Sequence, residues 1–303
     1  MIFDTFARLL RIDRHLDDIK INQGRILAEL NAGKRHRKLN DYEFKVFSQW
    51  GEDGIIQYLI SNLKIKNRTF IEFGVEDFYE SNCRFLLMKD NWSGFVVDGS
   101  RKKIQRLQTS YYFWRHPLQC KAAFITRENV DSILSESGFS KELGILSVDI
   151  DGVDYYVLSA LKDWAPSILI AEYNAIFGHE RAVTVPYDPH FNRTSKHHSN
   201  LYYGASLPAL FSLLSPRGYA LVGTNTAGNN AFFVRKELLN DSVREVALAE
   251  CFRDSCFREA RDSSGNLAFV AGAARRRPVA DLPLVDVVSG ATLRVADLGL
   301  SGG

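Results

Sequence analysis

Two short stretches carry the residue types and spacing that suit a small-molecule cofactor. Thr69-Phe-Ile-Glu72-Phe-Gly74-Val-Glu76-Asp77 is an apolar run ending in a glycine and two acids. Gly94-Phe-Val-Val-Asp98-Gly-Ser100 is a second apolar run with an acid at its tip. Read as strand, turn, helix and strand, they form a unit in which the glycine lets backbone approach a ligand. The acid after the second strand then accepts hydrogen bonds from two ribose hydroxyls. Asp98 follows Gly74 by 24 positions, near the roughly 20 this mechanism expects. The turn has one glycine and is acidic, which disfavours a pyrophosphate and with it NAD or FAD. A ribose-bearing cofactor with a sulfonium and an amino group, and no phosphate, suits it better: S-adenosylmethionine. Glu72, Gly74, Asp77, Asn82, Asp98, Ser100 and Asp149 then form the cofactor set, with an acid near Gly74 meeting the ammonium. The plainer readings are a buried structural Glu72 and a solvated loop acid at Asp98.

A second group of polar residues falls at later strand ends. Asp149, Asp151 and Asp154 follow one apolar run, and Glu172 and Asn174 follow the next. In an open α/β sheet such ends are neighbours, and ligands bind outside them. Asp149, Asp151, Glu172 and Asn174 offer oxygen ligands for Mg²⁺, which would hold a substrate hydroxyl and lower its pKa. Without metal, Asp149 or Asp151 contacts the methionyl group or the hydroxyl directly. Asp154 suits a helix cap, and Glu52 and Asp53 suit a helix start as well as they suit function. His179, His190, His197 and His198 share a long polar segment, 174–203. His179 or the His197-His198 pair is the candidate base or sugar contact, against the ordinary surface or structural roles of histidine. Tyr173, Tyr187, Tyr202 and Tyr203 suit a sugar's apolar face, or packing beneath the loop.

These residues need a scaffold, and the hydrophobic pattern supplies one. Strands are expected at 69–73, 94–98, 119–125, 145–149 and 168–172, alternating with helices at 80–90, 101–114, 127–137 and 153–162. That alternation predicts a parallel sheet with helices on both faces. A helix at 204–215 and a hairpin of 218–223 with 230–235 follow. Residues 1–33 read as a coiled-coil-like helix. Ile2, Leu9, Leu16, Gln23 and Leu30 fall at one heptad core position, and Thr5, Ile12, Ile19 and Ile26 at the other. This predicts a homo-oligomer of more than two strands with Gln23 as register marker, against an amphipathic helix packed on its own domain. Residues 34–46 read as a basic linker, 47–240 as the main α/β domain, and 241–303 as a C-terminal extension holding a strand and short helix between Val279 and Leu300.

Composition is that of a globular chain. Of 303 residues, 46% are hydrophobic and 24% charged, and the net charge of +2 gives no global attraction to nucleic acid. The basic run Lys34-Arg-His-Arg-Lys38 is expected to be a solvated linker, with peripheral contact to an anionic membrane or a polyanionic glycan as the alternative. The four cysteines form no CxxC pair. They read as buried thiols, which with no secretory or membrane-spanning run predicts a cytoplasmic protein. Asn91-Trp-Ser93 and Asn192-Arg-Thr194 match a glycosylation pattern that carries no weight without a signal peptide.

In order and spacing, six motifs resemble FkbM-type S-adenosylmethionine methyltransferases of surface-polysaccharide and natural-product gene clusters. They are Ser48-Gln-Trp-Gly-Glu-Asp53, Phe70-Ile-Glu-Phe-Gly74, Val97-Asp-Gly-Ser100, Ser147-Val-Asp-Ile-Asp-Gly152-Val-Asp154, Ala171-Glu-Tyr-Asn174 and Tyr202-Tyr-Gly-Ala-Ser206. The resemblance runs from about Ser48 to Arg235. It implies a doubly wound, Rossmann-like class I methyltransferase sheet ending in an antiparallel hairpin, S-adenosylmethionine as cofactor, and O-methylation of a saccharide-containing acceptor. Glu76 and Asp77 stand where many methyltransferases have a second glycine. Two other readings stay open. Asp149-Ile-Asp151 matches the DxD of metal-dependent glycosyltransferases, and a coiled coil on this fold suits a non-catalytic assembly protein.

Overall fold

A computed structural model describes residues 2–34, 38–257 and 259–299 of the chain. The middle of the basic run, residues 35–37, lies outside them. The chain opens with α1 (Ile2–Ala32), then α2 (Glu52–Asn62), β1 (Thr69–Phe73), α3 (Arg84–Asp90), β2 (Ser93–Asp98), α4 (Arg101–Gln108), α5 (Tyr111–Arg115) and β3 (Leu118–Ala122). It continues through α6 (Val130–Ser135), β4 (Ile145–Val148), α7 (Asp154–Ala160), β5 (Ile168–Glu172), β6 (Val183–Thr184), α8 (Arg193–Lys196) and α9 (Leu207–Leu214). The last elements are β7 (Tyr219–Thr224), β8 (Asn230–Arg235), α10 (Leu248–Cys251), β9 (Pro283–Asp286) and β10 (Thr292–Arg294).

Seven strands form one sheet in the order β3-β2-β1-β4-β5-β8-β7. The first five run parallel, and β8 is antiparallel to both β5 and β7. This is the doubly wound, Rossmann-like sheet with a terminal hairpin that the sequence predicts. Strand alternation explains its two apolar faces. Ile71, Phe73, Phe95 and Val97 point into the core shared with α6, α7 and α9, whereas Phe70 and Val96 join Ile55, Leu59, Leu86 and Ile104 on the opposite side.

The helices are shorter than the periodicity predicts, and local side chains explain why. The expected helix 80–90 starts only at Arg84, because Ser81–Cys83 curl around the Glu72 carboxyl instead. The expected helix 101–114 breaks at Thr109-Ser110, where the Ser110 hydroxyl accepts from the Phe113 amide and starts α5. Segment 174–203 is ordered: it holds β6 and α8, and β6 joins β9 and β10 in a small antiparallel sheet. Val279, Leu284, Val295 and Leu298 are buried in the same core as β1 and β4, so the C-terminal stretch packs on the domain. Tyr42, Val46 and Phe47 are buried too. Cys83 and Cys251 are buried and Cys120 half-buried, but Cys256 is exposed, against the expectation of four buried thiols. Among the described residues, no helix is long and apolar enough to cross a membrane.

Gly74 fixes how closely the turns after β1 and β4 approach. Its φ is +76°, and a Cβ there would lie 1.6 Å from the Asp149 carbonyl oxygen. Gly74→Ala should therefore cost about 3 kcal/mol or more of folding stability, combining left-handed strain with overpacking. Urea unfolding checks this, and a loss below about 1 kcal/mol contradicts the close approach.

Candidate functional site

The carboxyl ends of β1, β2 and β4 open into a cleft with two lobes that meet at Gly74, Glu76, Asp149 and Asp151. One lobe is mixed, with Val97, Ala123, Phe124, Ile125 and Phe191 beside Asp98 and Lys103. The other is polar, lined by Gln49, Glu72, Asp77, Tyr79, Asn82 and Asn230. The polar lobe encloses about 560 Å³, within the range of small-molecule sites.

The turn after β1 is strained. Gly74, Glu76 and Phe78 all have positive φ, at 76°, 52° and 63°. Bulky residues hold such angles only where the surroundings impose them, and functional loops collect them. Asp98 is one of the restraints: its Oδ2 accepts from the Glu76 amide at 2.8 Å and its Oδ1 from the Ser100 amide at 2.7 Å. Asp98 thus sits at the tip of β2 facing the cleft and also ties two turns together. Ser100 is the N-cap of α4, accepting from the Lys103 amide. The acids of the turn are paired, Glu76 with Lys103 and Asp77 with Arg106 at 3.0 Å. The turn is therefore less repulsive to an anion than its sequence implies. A second feature disfavours a pyrophosphate instead. The amides of Asn82 and Cys83, at the start of α3, donate to Glu72 at 2.8 and 3.2 Å, so the helix start offers them to a carboxylate and not to a phosphate.

Glu72 is buried, also accepts from the Ser81 hydroxyl at 2.5 Å, and is pushed up to about 7 by burial, against those hydrogen bonds. Asn82 reaches on to the Ser147 hydroxyl at 3.1 Å. Beyond β4 and β5, carboxylate oxygens of Asp149, Asp151 and Glu172 lie within 4.8 Å of one another. Burial raises Asp149 and Glu172 well above the usual carboxylate range; the charges of Asp151 and Asp154 raise Asp149 further, and those of Asp149 and Asp151 raise Glu172 further. Among the described residues, one Glu172 oxygen is buried without a hydrogen-bond partner, as is the side-chain oxygen of its cross-strand neighbour Asn230. Asp151 has φ of +54° and pairs with Arg193 at 2.5 Å. Arg193 also pairs with Glu259 at 2.5 Å and lies over the Tyr203 ring at 3.8 Å.

Several sequence-level expectations meet a different geometry. Asn174 does not join the carboxylates: its amide donates to the carbonyls of Leu201 and Tyr203, and its oxygen accepts from the Ile176 amide. Among the expected oxygen ligands, three carboxylates and the unpartnered Glu172 oxygen fit a divalent cation and Asn174 does not. None of the described histidines lines either lobe. His179 packs on Phe252 with ring centroids 4.9 Å apart. His197 Nδ1 lies 2.7 Å from the Ser199 hydroxyl, and its ring is 4.1 Å from that of His198. Burial and the His198 charge lower the His197 pKa. Tyr173 and Tyr203 are buried, and Tyr187 leans on Tyr156. Asp154 accepts from the amides of Ile150 and Gly152, holding the turn that carries Asp151. Glu52 and Asp53 are structural: Asp53 gathers the amides of Val46, Phe47 and Ser48, and Glu52 binds Asn225 and Asn230. Sequence reading misses Arg193, Glu259, Phe124 and Phe191. Only Arg193 leaves a trace, inside the Asn192-Arg-Thr194 pattern, where Asn192 proves to be the N-cap of α8.

No protein-family model and no curated protein matches the sequence. Solved structures do. The chain is similar to the DszA carbon methyltransferase, with 12% identity over 62% of this chain and 53% of that one, and a TM-score of 0.40. It is similar to an O-methyltransferase family protein from Burkholderia thailandensis, with 10% identity, 60% and 57% coverage, and a TM-score of 0.36. A third is the N-terminal domain of EvdMO1 with SAH bound, with 10% identity, 55% and 72% coverage, and a TM-score of 0.33. The chain thus spans about half the length of the first of these.

Glu72 binds its proton more tightly when folded, near pH 7, than at its ordinary 4.5. Its stabilising contribution is full below pH 4.5 and lost as pH rises through 7. The stability advantage of wild type over Glu72→Gln should shrink by about 1–3 kcal/mol between pH 5 and 8 in urea unfolding. A gap independent of pH contradicts the raised pKa.

Proposed function

We propose that the chain is an S-adenosylmethionine-dependent O-methyltransferase acting on a hydroxyl of a saccharide-containing acceptor. The observation that carries this reading is the two-lobed cleft, with an aromatic and aliphatic wall beside Asp98 and carboxylates beside Asp149. Ala123, Phe124, Ile125 and Phe191 suit an adenine ring. Asp98, a hydrogen-bond acceptor at the β2 tip, suits the ribose hydroxyls. The polar lobe, with Glu72, Asn82 and the Gly74 backbone, suits the amino-acid end. The spent amides of α3 support a cofactor without phosphate over NAD, FAD or a nucleotide sugar. That counts against the DxD glycosyltransferase reading.

Methyl transfer to oxygen needs in-line alignment and removal of the hydroxyl proton. The Asp149–Glu172 pair is the base in this account, in place of His179, His197 or His198. Asp149 lines the junction of the lobes with Glu172 buried beside it, and burial raises the proton affinity of both. A divalent cation held by Asp149, Asp151 and Glu172 would lower the pKa of a bound hydroxyl. In the absence of such an ion, Arg193 offsets the negative charge of Asp151.

Transfer of a labelled methyl group from S-adenosylmethionine to a panel of mono- and oligosaccharides, with Mg²⁺ or EDTA, tests the reading. Glu172→Gln should lower kcat about 100-fold or more while S-adenosylhomocysteine affinity stays within about threefold. Asp98→Asn should weaken S-adenosylhomocysteine about 10-fold or more, through loss of a charged hydrogen-bond acceptor. Transfer unaffected by Glu172→Gln removes the dyad from the mechanism, and unchanged affinity in Asp98→Asn removes the ribose assignment.

A further inference from the structure

Helix α1 has two apolar seams, and only one meets the domain. Asp17, Ile21 and Gly24 are buried against the body of the protein. A Cβ on Gly24 would meet Phe85 and Val46 at 2.6 Å. Asp17 pairs with the buried Arg84 at 2.5 Å and accepts from the Tyr111 hydroxyl at 2.7 Å. The opposite side of the helix carries Ile12, Leu16, Ile19, Ile26 and Leu30, which are 52%, 49%, 62%, 60% and 56% exposed. With Gln23, also exposed, these occupy the two core positions of a heptad repeat. The intramolecular packing that would make α1 an ordinary amphipathic helix is thus supplied by a different set of residues.

We infer that this exposed seam pairs with the same seam of further copies of this chain, as a parallel, in-register coiled coil. Three observations select that occupant. First, Ile12, Leu16, Ile19, Gln23, Ile26 and Leu30 recur at alternating intervals of four and three residues, the a/d pattern by which one helix meets another. Secondly, five half-exposed Leu and Ile side chains offer roughly 400–500 Å² per copy. With the stems of His15, Lys20, Leu27 and Glu29 beside them, a pair approaches the roughly 1,200 Å² at which specific interfaces begin. Thirdly, the exposed flanks carry Asp13 and Glu29, with the Lys20 ammonium turned onto the Phe47 and Tyr79 rings of its own domain. An anionic membrane selects a basic face, which this is not. Parallel order follows from Gln23. In a parallel coil it faces its own copy and the two amides bond to each other, whereas in an antiparallel coil it faces an apolar residue.

This inference does not depend on the methyl-transfer reading. Its test is the mass of the full-length protein by light scattering at tens of micromolar. Two to four times 34.3 kDa is expected for wild type, and 34.3 kDa for Ile19→Glu/Ile26→Glu. Both substituted positions are exposed, so the fold is retained and circular dichroism should stay the same. Gln23→Cys should also form an interchain disulfide on oxidation, above the background that Cys256 gives in wild type. A wild-type mass of 34.3 kDa overturns the inference, as does an assembly that survives the double substitution. A monomer that sediments with anionic vesicles and loses that binding in the double variant assigns the seam to a membrane instead. Absence of the Gln23→Cys disulfide in an assembled protein overturns the parallel register.

Discussion

The head of this sheet depends on one close approach, that of Gly74 to the Asp149 carbonyl. Neighbouring parallel strands end side by side, but the loops leaving them ordinarily part to make room for side chains. With no Cβ at Gly74, the turns after β1 and β4 stay in contact. Glu72 and Asp149 therefore line one lobe together, and the two lobes meet around Gly74 and Asp149. In the same turn Glu76 and Phe78 adopt left-handed angles, and the Asp98 carboxylate accepts from the Glu76 amide.

Gathering carboxyl groups this closely costs free energy unless each is neutral or supplied with donors. The protein uses a different solution for each acid. Glu72 receives a hydroxyl and two amides. Asp154 receives two amides from the turn before it. Asp151 receives Arg193, which is held in turn by Glu259 and the Tyr203 ring. Asp149 and Glu172 receive least, and burial raises the proton affinity of both. Of the two, Asp149 lines the junction of the lobes. The C-terminal stretch belongs to this arrangement, because Glu259 pairs with Arg193.

The architecture was legible in the sequence because it follows from alternation and spacing, both local properties. The five parallel strands and the hairpin fall within a few residues of where apolar runs end. Helix lengths were less legible, since Ser81, Asn82 and Ser110 stop or delay helices through side-chain bonds that periodicity does not register. Acids at strand tips were readable, because a strand's end fixes where they point. The histidines were not: their position in a polar loop suggested a base, but folding turned His179 toward Phe252 and His197 toward Ser199. Asn174 was misread as a ligand because a helix-capping amide and a metal-binding amide look alike in sequence. Arg193 and Glu259 lie 66 positions apart, and no local pattern links them.

S-adenosylhomocysteine titrated calorimetrically into the purified wild-type protein tests the central claim most directly. The account predicts saturable one-to-one binding with a micromolar dissociation constant, in EDTA as well as in Mg²⁺. An absence of binding under both conditions, with a nucleotide sugar binding in Mn²⁺ instead, contradicts it.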